Sequence, residues 1–235
     1  MEGELPLITL GDEVGFTLAV RDLFSTPVDA IVNPANSGLS HGGGLAGQIS
    51  LVAGQALDDE CDAIIAEQGM LQTGTAVITT AGQMNFAAVV HAIGPRMGSG
   101  NEQLLLERTL TSCLQAAEHS TQQALSGEGG RLIRSIAFPA ISTGSYGIPK
   151  QVCAQAFSNL MQDYIRSGGE TEYGIRDIWL CVGKDEFETF ATPLDLTLLR
   201  VSAEEKKEIV VGEISLDSDD IAALEDDSID DWFVK

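Results

Sequence analysis

The sequence predicts an α/β protein in which helices cover both faces of a central sheet. Two observations predict this class: short apolar runs of strand length alternate with longer segments of helical periodicity, and no internal repeat interrupts the alternation. Hydrophobic residues make up 44% of the 235 residues and charged residues 20%, so the chain has enough apolar material to form a core. Such a length suits one α/β domain with an appendage, or two small domains.

Each element is predicted from its own local pattern. Continuous apolar runs predict buried strands, and leucines and alanines at helical spacing predict helices, with a break at Gly54 and a first-turn proline at Pro149. The predicted strands are Leu5–Leu10, Phe16–Val20, Asp29–Val32, Thr75–Thr79, Ala87–His91, Ser135–Pro139 and Ile175–Val182. The predicted helices are Leu45–Ala66, Glu102–Ala117, Pro149–Arg166 and Glu186–Ala191.

The end of the chain carries much of its negative charge. The formal net charge is −22, and twelve acidic residues against three basic ones lie between Glu204 and Lys235. Residues 201–235 are therefore predicted to form an acidic tail behind a domain of residues 1–200. Two interpretations of residues 204–235 remain open: a solvated tail that aids solubility, or a docking segment in which Trp232 and Phe233 anchor a basic protein partner.

Charge, hydropathy and cysteine spacing argue against several classes of function. A strongly acidic chain repels phosphate backbones, which disfavours general nucleic-acid binding. No apolar run approaches the roughly 18 residues of a membrane span, and the first residues lack the regions of a signal peptide. The cysteines form no CxxC pair, so we expect reduced thiols in the core of an intracellular, most simply cytoplasmic, protein without a metal or other cofactor. They are Cys61, Cys113, Cys153 and Cys181.

The most informative segment, residues 33–47, lies between a predicted strand and a predicted helix. Its three successive glycines, Gly42, Gly43 and Gly44, allow the backbone to approach a ligand closely. Their amides and the helix N-terminus would form an anion site, although a flexible turn is the alternative. Because the net charge opposes an anion, local backbone dipoles would have to bind it. The spacing matches neither a Walker motif nor GxGxxG.

A second loop, residues 140–149, also follows a strand and precedes a helix. Gly144 and Gly147 bracket Ser145 and Tyr146 in this loop. Two such loops could clamp a diphosphate from both sides while Tyr146 covers a sugar; the alternative is that Tyr146 packs on its own helix. The spacing suggests no Ser–His–Asp or Cys–His nucleophile pair and no metal cluster, and His91 is expected to be a hydrogen-bonded core histidine.

Together these segments resemble the macrodomain family of ADP-ribose-binding modules, over roughly residues 5–195. The glycine loop, with Leu39-x-His41 before its glycines, is most similar to coronaviral and related hydrolytic macrodomains. The resemblance implies a three-layer α/β/α fold with a central mixed sheet and a cleft for ADP-ribose. The matching motifs are Asn33-x-Ala35-Asn36, Gly42-Gly43-Gly44, Val89–Pro95, Ser135–Gly144 and Tyr146-Gly147-x-Pro149.

The resemblance also implies roles for individual residues. Asp22 and the Leu23 amide would contact adenine, and Phe187 would replace an aromatic residue that some relatives carry where this chain has Gly183. Asn36 would hold the distal ribose. The residues implied to surround the diphosphate and distal ribose are Gly42, Gly43, Gly44, Ala46, Gly47, Ser142, Thr143, Gly144, Ser145 and Tyr146.

Two departures from the family pattern affect the expected chemistry. Pro34 replaces a commoner alanine and removes an amide donor. Leu45 and Ala46 stand where one hydrolase branch has an acid after the glycines, so the diphosphate of the ligand would have to activate water.

The resemblance implies hydrolysis of mono-ADP-ribose from acidic side chains of modified proteins, with Asn36, His41 and Gly43 as catalytic residues. His41 could equally well fix the glycine loop through a hydrogen bond. The alternative function is a non-catalytic ADP-ribose reader whose acidic tail recruits a partner.

Overall fold

The computed structural model describes residues 8–10, 14–166, 174–194, 210–211 and 214–215. Short 3-10 turns at Leu23–Ser25 and Lys184–Glu186 accompany the main elements, and residues 187–194 are helical. The strands are β1 (Ile8–Leu10), β2 (Val14–Val20), β3 (Ala30–Ala35), β4 (Thr75–Thr79), β5 (Ala88–Ile93), β6 (Ser135–Pro139), β7 (Asp177–Val182), β8 (Val210–Val211) and β9 (Ile214–Ser215). The helices are α1 (Gly44–Ala53), α2 (Gln55–Gln68), α3 (Glu102–Ser126) and α4 (Lys150–Arg166).

The strands form one mixed sheet in the order β4-β5-β3-β6-β7-β2-β1-β8-β9. The central strands β5, β3, β6, β7 and β2 run parallel, while β4 and β1 add antiparallel to either side. Parallel neighbours place their carboxyl ends at one edge, so the loops after β3, β5 and β6 meet there. This edge carries both glycine-rich loops identified in the sequence.

Two apolar cores, one on each face of the sheet, confirm the predicted three-layer α/β/α fold. Residues of β3 alternate between them: Ala30 and Val32 belong to the core that α3 and α4 cover, and Ile31 to the core that α1 and α2 cover. This alternation follows from the two-residue period of a strand. A strand buried on both faces reads as a continuous apolar run, which is the pattern that predicted β3.

β3 extends three residues beyond its predicted end at Val32 and includes Asn33 and Pro34. The polar residue and the proline ended the apolar pattern, but the final three residues pair with β5, in the register Asn33↔His91, Pro34↔Ala92 and Ala35↔Ile93. The Asn33 side chain is buried and lies 3.0 Å from His91 Nδ1. A partner on the neighbouring strand therefore makes a polar residue acceptable there.

α3 is longer than predicted and ends at Ser126 rather than Ala117. The sequence pattern ended where Ser120 and Thr121 interrupt the apolar face. Both hydroxyls dock the helix onto the segment before β6, since Ser120 Oγ donates to the Arg131 carbonyl and Thr121 Oγ1 to the Ile133 carbonyl, at 3.1 and 2.9 Å. The predicted break at Gly54 is confirmed, because this residue separates α1 from α2 with φ +79°.

The four cysteines are buried and unbridged, as predicted. No helix among the described residues is long and apolar enough to cross a bilayer. Residues 210–211 and 214–215 lie in the predicted acidic tail and extend the sheet beyond β1, through the pair Ile8↔Val211. The rest of the predicted tail, including Trp232 and Phe233, lies outside the described residues.

Candidate ligand-binding site

A cavity of about 570 Å³ lies at the carboxyl ends of β3, β5 and β6. Its floor consists of small residues, including Ala35, Ala92, Gly94 and Ala140, which leave room above the strands. Both glycine-rich loops form its walls. Of the residues predicted to bind the ligand, the cavity brings together Asn36, Gly42, Gly43, Gly44, Ala46, Ser142, Thr143, Gly144, Ser145 and Tyr146.

The first wall presents backbone amides at the start of α1. Gly47 donates its amide to the Gly43 carbonyl at 3.1 Å, whereas the amides of residues 42–46 have no acceptor within the described part of the chain. Gly43, at the N-cap, has φ +149° and Gly44 has φ +58°, and no side chain caps the helix. Donors that the protein leaves unpaired at a helix N-terminus form an anion site.

Gly42 and Gly144 line the cavity from opposite loops, and the protein itself does not require glycine at either position. Neither has a positive φ, and a Cβ built on either would meet no protein atom within 4 Å. Backbone strain and crowding therefore do not account for these glycines. Both residues line the cavity, and open space at each Cβ position fits a ligand that approaches the backbone closely.

Ser142 combines an unusual backbone conformation with an unpaired hydroxyl. Its φ is +64°, although its side chain is not that of a glycine, and the residue is buried. Its Oγ has no hydrogen-bond partner among the described residues, and it occupies the space that a Cβ on Gly94 would need. A buried polar atom without a partner, held in a sparsely populated conformation beside a cavity, is typical of a binding site.

The Asn36 side chain lies at the cavity wall and also closes its own loop. Its Oδ1 accepts hydrogen bonds from the Gly38 and Ser40 amides at 3.0 and 3.2 Å. Its Nδ2 donates to the Ser40 carbonyl at 2.7 Å and contacts Ser40 Oγ at 3.0 Å. A ribose hydroxyl that bound Asn36 would therefore share the amide with Ser40 or displace its hydroxyl.

Arg96 lines the cavity and was missed by the sequence analysis. It follows β5 and places its guanidinium carbon 4.2 Å from the centre of the Tyr146 ring. Arg96 is the basic side chain among the described residues of the cavity wall. It places a positive charge beside a bound anion, which the net charge of −22 would otherwise repel. Its position directly after an apolar strand was the available signal.

His41 lies behind the glycine loop and does not line the cavity. Its Nδ1 donates to Asp58 Oδ1 at 3.1 Å, and its ring centre lies 6.0 Å from that of His91. His91 is the buried core histidine that the sequence predicted: Asn33 donates to its Nδ1, and its Nε2 donates to Thr79 Oγ1 at 2.8 Å. Burial, with a smaller effect of His41, lowers the pKa of His91 to about 3, so its ring is neutral.

The same three-dimensional arrangement brings Cys61 to the two histidines. One ligand atom from each of His41, Cys61 and His91 lies within 4.8 Å of the others. Burial is the main cause that raises the pKa of the Cys61 thiol to about 12, and the neighbouring carboxylate of Asp58 contributes next. Chain spacing could not reveal this cluster, because its members come from a loop, a helix and a strand.

Four residues predicted to bind the ligand lie outside the cavity wall. Asp22 follows β2 and accepts from the Phe24 amide at 3.2 Å, and Leu23 beside it is buried. Phe187 follows β7 and is half-buried against the core. Asp22, Leu23 and Phe187 lie at the same edge of the sheet as the cavity, two or more strands from the centre of the cavity at β3. The fourth residue, Gly47, forms part of the first turn of α1.

Comparisons with known proteins agree with this architecture. The Macro domain family matches residues 32–157, which is more than half of the chain. An O-acetyl-ADP-ribose deacetylase from Salmonella gallinarum is 45% identical over 146 residues, which cover 61% of this chain and 75% of that protein. A protein of the same name from Escherichia fergusonii is 40% identical over 146 residues, covering 61% and 76%.

Solved structures show the same fold. The Oceanobacillus iheyensis macrodomain with ADP is 22% identical, with a TM-score of 0.67 over 85% of this chain and 97% of that one. The Trypanosoma brucei macrodomain in complex with ADP-ribose is 27% identical, with a TM-score of 0.63 over 80% and 73%. The family match, the relatives and the sheet order agree, and we conclude that this chain belongs to the Macro domain family.

Proposed function

We propose that this protein binds ADP-ribose and hydrolyses carboxylic esters at its distal ribose. The observation that carries the proposal is the pair of opposed glycine loops: the amides of residues 42–46 and 144–146 have no acceptor within the described residues, and the fold does not require glycine at residues 42 and 144. Such amides bind the diphosphate through local dipoles, and Asn36 and Tyr146 contact the distal ribose.

The names of the relatives support an ester as the substrate class. O-Acetyl-ADP-ribose is an ester between acetic acid and a ribose hydroxyl, and ADP-ribose linked to an aspartate or glutamate side chain is an ester of the same kind. One site can therefore serve both, and the open cavity leaves the acid side of the ester free to vary. Glycosidic links to arginine or serine join the ribose through a different bond and fall outside this class.

The proposed hydrolysis uses no protein base. No carboxylate or imidazole occurs among the residues that line the cavity. The diphosphate of the bound ligand accepts a proton from water, whose oxygen attacks the ester carbonyl, and amides of the glycine loop stabilise the oxyanion that develops. The bond to the ribose oxygen then breaks, that oxygen takes up a proton, and the products are a carboxylic acid and ADP-ribose.

In this proposal Asn36 orients the ribose and Gly43 supplies a backbone amide. His41 acts indirectly, since its hydrogen bond to Asp58 ties the glycine loop to α2. Asp22, Leu23 and Phe187 extend the site along the sheet edge towards the adenine end of the ligand.

A substrate panel tests the proposal. The purified full chain is incubated with O-acetyl-ADP-ribose, an aspartate- or glutamate-linked peptide, and arginine- and serine-linked peptides, and the products are separated by mass spectrometry. We expect release from the two esters and none from the glycosidic links. If calorimetry shows ADP-ribose binding but no substrate is cleaved, the protein is a non-catalytic reader rather than an enzyme. An absence of binding would refute both the hydrolase and the reader.

A further inference from the structure

We propose that His41, Cys61 and His91 form a zinc site beneath the glycine loop. These residues belong to a loop, to α2 and to β5, and the fold places one ligand atom of each within 4.8 Å of the others. Two imidazoles and a thiolate are the ligands that zinc prefers in proteins. Cys61 and His91 are fully buried, and the His41 side chain is 9% exposed.

An independent observation at His41 also indicates that this cluster binds a ligand. With Nδ1 bonded to Asp58, the remaining ring nitrogen, Nε2, is buried and has no hydrogen-bond partner among the described residues. A buried nitrogen without a partner costs free energy unless something binds it. A metal ion between the two histidines would use the lone pair that the protein leaves unpaired.

The ligand atoms, which lie up to 4.8 Å apart, would have to move closer together to hold a tetrahedral ion. Cys61 Sγ lies 3.8 Å from His91 Nε2. Around a tetrahedral zinc ion, with bonds of about 2.3 Å to sulfur and about 2.0 Å to nitrogen, these two ligand atoms would lie about 3.5 Å apart. Three protein ligands leave a fourth position, which Thr79 Oγ1, 2.8 Å from His91 Nε2, or a water molecule can occupy.

Both histidines have the outer partners that metal-bound histidines use. Asp58 accepts from His41 Nδ1 and is itself held by Ser50 Oγ at 2.8 Å. Asn33 faces His91 Nδ1, and its Oδ1 has no partner within the described part of the chain. Rotation of the Asn33 amide would let Oδ1 accept from Nδ1–H, which leaves His91 Nε2 free as a ligand.

The charge around the cluster favours a cation. The carboxylates of Asp58, Glu60 and Asp62 belong to α2 together with Cys61, and negative charge close to the cluster attracts a divalent ion. Zinc binding displaces the thiol proton to solvent and forms the zinc–sulfur bond, with no change of oxidation state. The bound ion would join the glycine loop to α2 and β5 and so hold the amides of the cavity wall in place.

Metal content and cobalt spectroscopy test this site on the untagged full chain, stripped with a chelator and kept reduced. After the stripped chain is incubated with Zn²⁺ and unbound ion is removed, we expect one equivalent of Zn²⁺ per chain by elemental analysis, and we expect the melting temperature to rise with Zn²⁺ concentration. With Co²⁺ we expect a thiolate charge-transfer band. Cys61→Ser should abolish the band and weaken zinc binding about 100-fold or more, and Asp58→Asn should weaken it about 10-fold while the band remains.

Cys113→Ser is the matched control, since Cys113 is equally buried but lies in α3. This variant should bind zinc and cobalt like the parent. His41→Gln provides a second test if Cys61→Ser does not fold, because a loop substitution is better tolerated than one in the core. A parent chain that binds no stoichiometric zinc, or a cobalt–thiolate band that persists in Cys61→Ser, would overturn the site.

Discussion

The guanidinium carbon of Arg96 lies 4.2 Å from the centre of the Tyr146 ring, where the two side chains line the cavity from opposite connections. The contact joins the segment after β5 to the second glycine loop, and a hydrogen bond from the Met97 amide to the Tyr146 carbonyl at 2.8 Å reinforces it. The pair thus positions both an aromatic face and a cation at the ligand.

Arg96→Ala should weaken ADP-ribose binding about 5-fold, which corresponds to about 1 kcal/mol. The substitution removes the cation near the diphosphate and loosens Tyr146. Arg96→Lys should recover only part of the loss, because an ammonium keeps the charge but lacks the planar stacking surface. Calorimetry measures the affinities. Arg108→Ala, which removes an exposed cation outside the cavity wall, should bind ADP-ribose like the parent. Equal losses of affinity in Arg96→Ala and Arg108→Ala would show that Arg96 acts only through the net charge of the protein.

Gly42→Ala and Gly144→Ala should each leave the melting temperature unchanged or slightly higher and reduce ADP-ribose affinity at least about 10-fold. The added methyl meets no protein atom, so folding tolerates it, but it occupies the approach of the ligand to the backbone. Thermal melts and calorimetry on the same samples separate the two effects.

Gly82→Ala provides the reverse comparison. This residue has φ +58°, and its Cβ would overlap the Ala53 carbonyl, so we expect a loss of stability of about 2 kcal/mol or more. The folded fraction should bind ADP-ribose normally. Undiminished affinity in both Gly42→Ala and Gly144→Ala would contradict the proposed close contact.

Asn36→Ala should abolish ester hydrolysis and reduce ADP-ribose affinity about 10-fold. The change removes the ribose contact and also the two hydrogen bonds that Asn36 Oδ1 accepts from the Gly38 and Ser40 amides. Ser40→Ala separates the two roles, because it removes the hydroxyl at 3.0 Å but leaves the backbone contacts of the loop. We expect near-parental turnover in Ser40→Ala; parental turnover in Asn36→Ala would exclude its catalytic role.

Lowering the pH should slightly reduce the free energy of unfolding, because protonation of Glu186 removes its ion pair with Lys150. Lys150 Nζ lies 2.7 Å from Glu186 Oε1, and this bond, followed by that from the Gly183 amide, lowers the pKa of Glu186. A carboxyl whose pKa is lower in the folded state stabilises the fold above its unfolded pKa, near 4.3, and loses that contribution as the pH falls through the folded value.

Because the pair is partly exposed, its contribution is at most about 1 kcal/mol. Denaturant unfolding of the parent and of Lys150→Gln, measured between about pH 6 and pH 3, should show a gap in stability that narrows as the pH falls. A gap that stays constant over this range would show that Lys150 acts through packing rather than through charge.

Local patterns in the sequence predicted most of the fold. Strands buried on both faces read as apolar runs, and β4 and β6 have the predicted ends. Two of the ends that moved, at β3 and α3, lie where polar residues are buried against partners far along the chain: Asn33 against His91, and Thr121 against the Ile133 carbonyl. A pattern that treats polar residues as exposed cannot anticipate such pairs.

The two glycine loops were visible in the sequence because a loop that leaves its amides to a ligand needs small residues close together along the chain. The contact of Arg96 with Tyr146, the unpaired hydroxyl of Ser142 and the meeting of His41 with Cys61 and His91 were decided only by the tertiary structure. The first two depend on the parallel strand order, which brings the carboxyl ends of β3, β5 and β6 to one edge, and the third depends on the packing of α2 against the same sheet. Periodicity records which way a residue faces, but long-range packing determines what it faces.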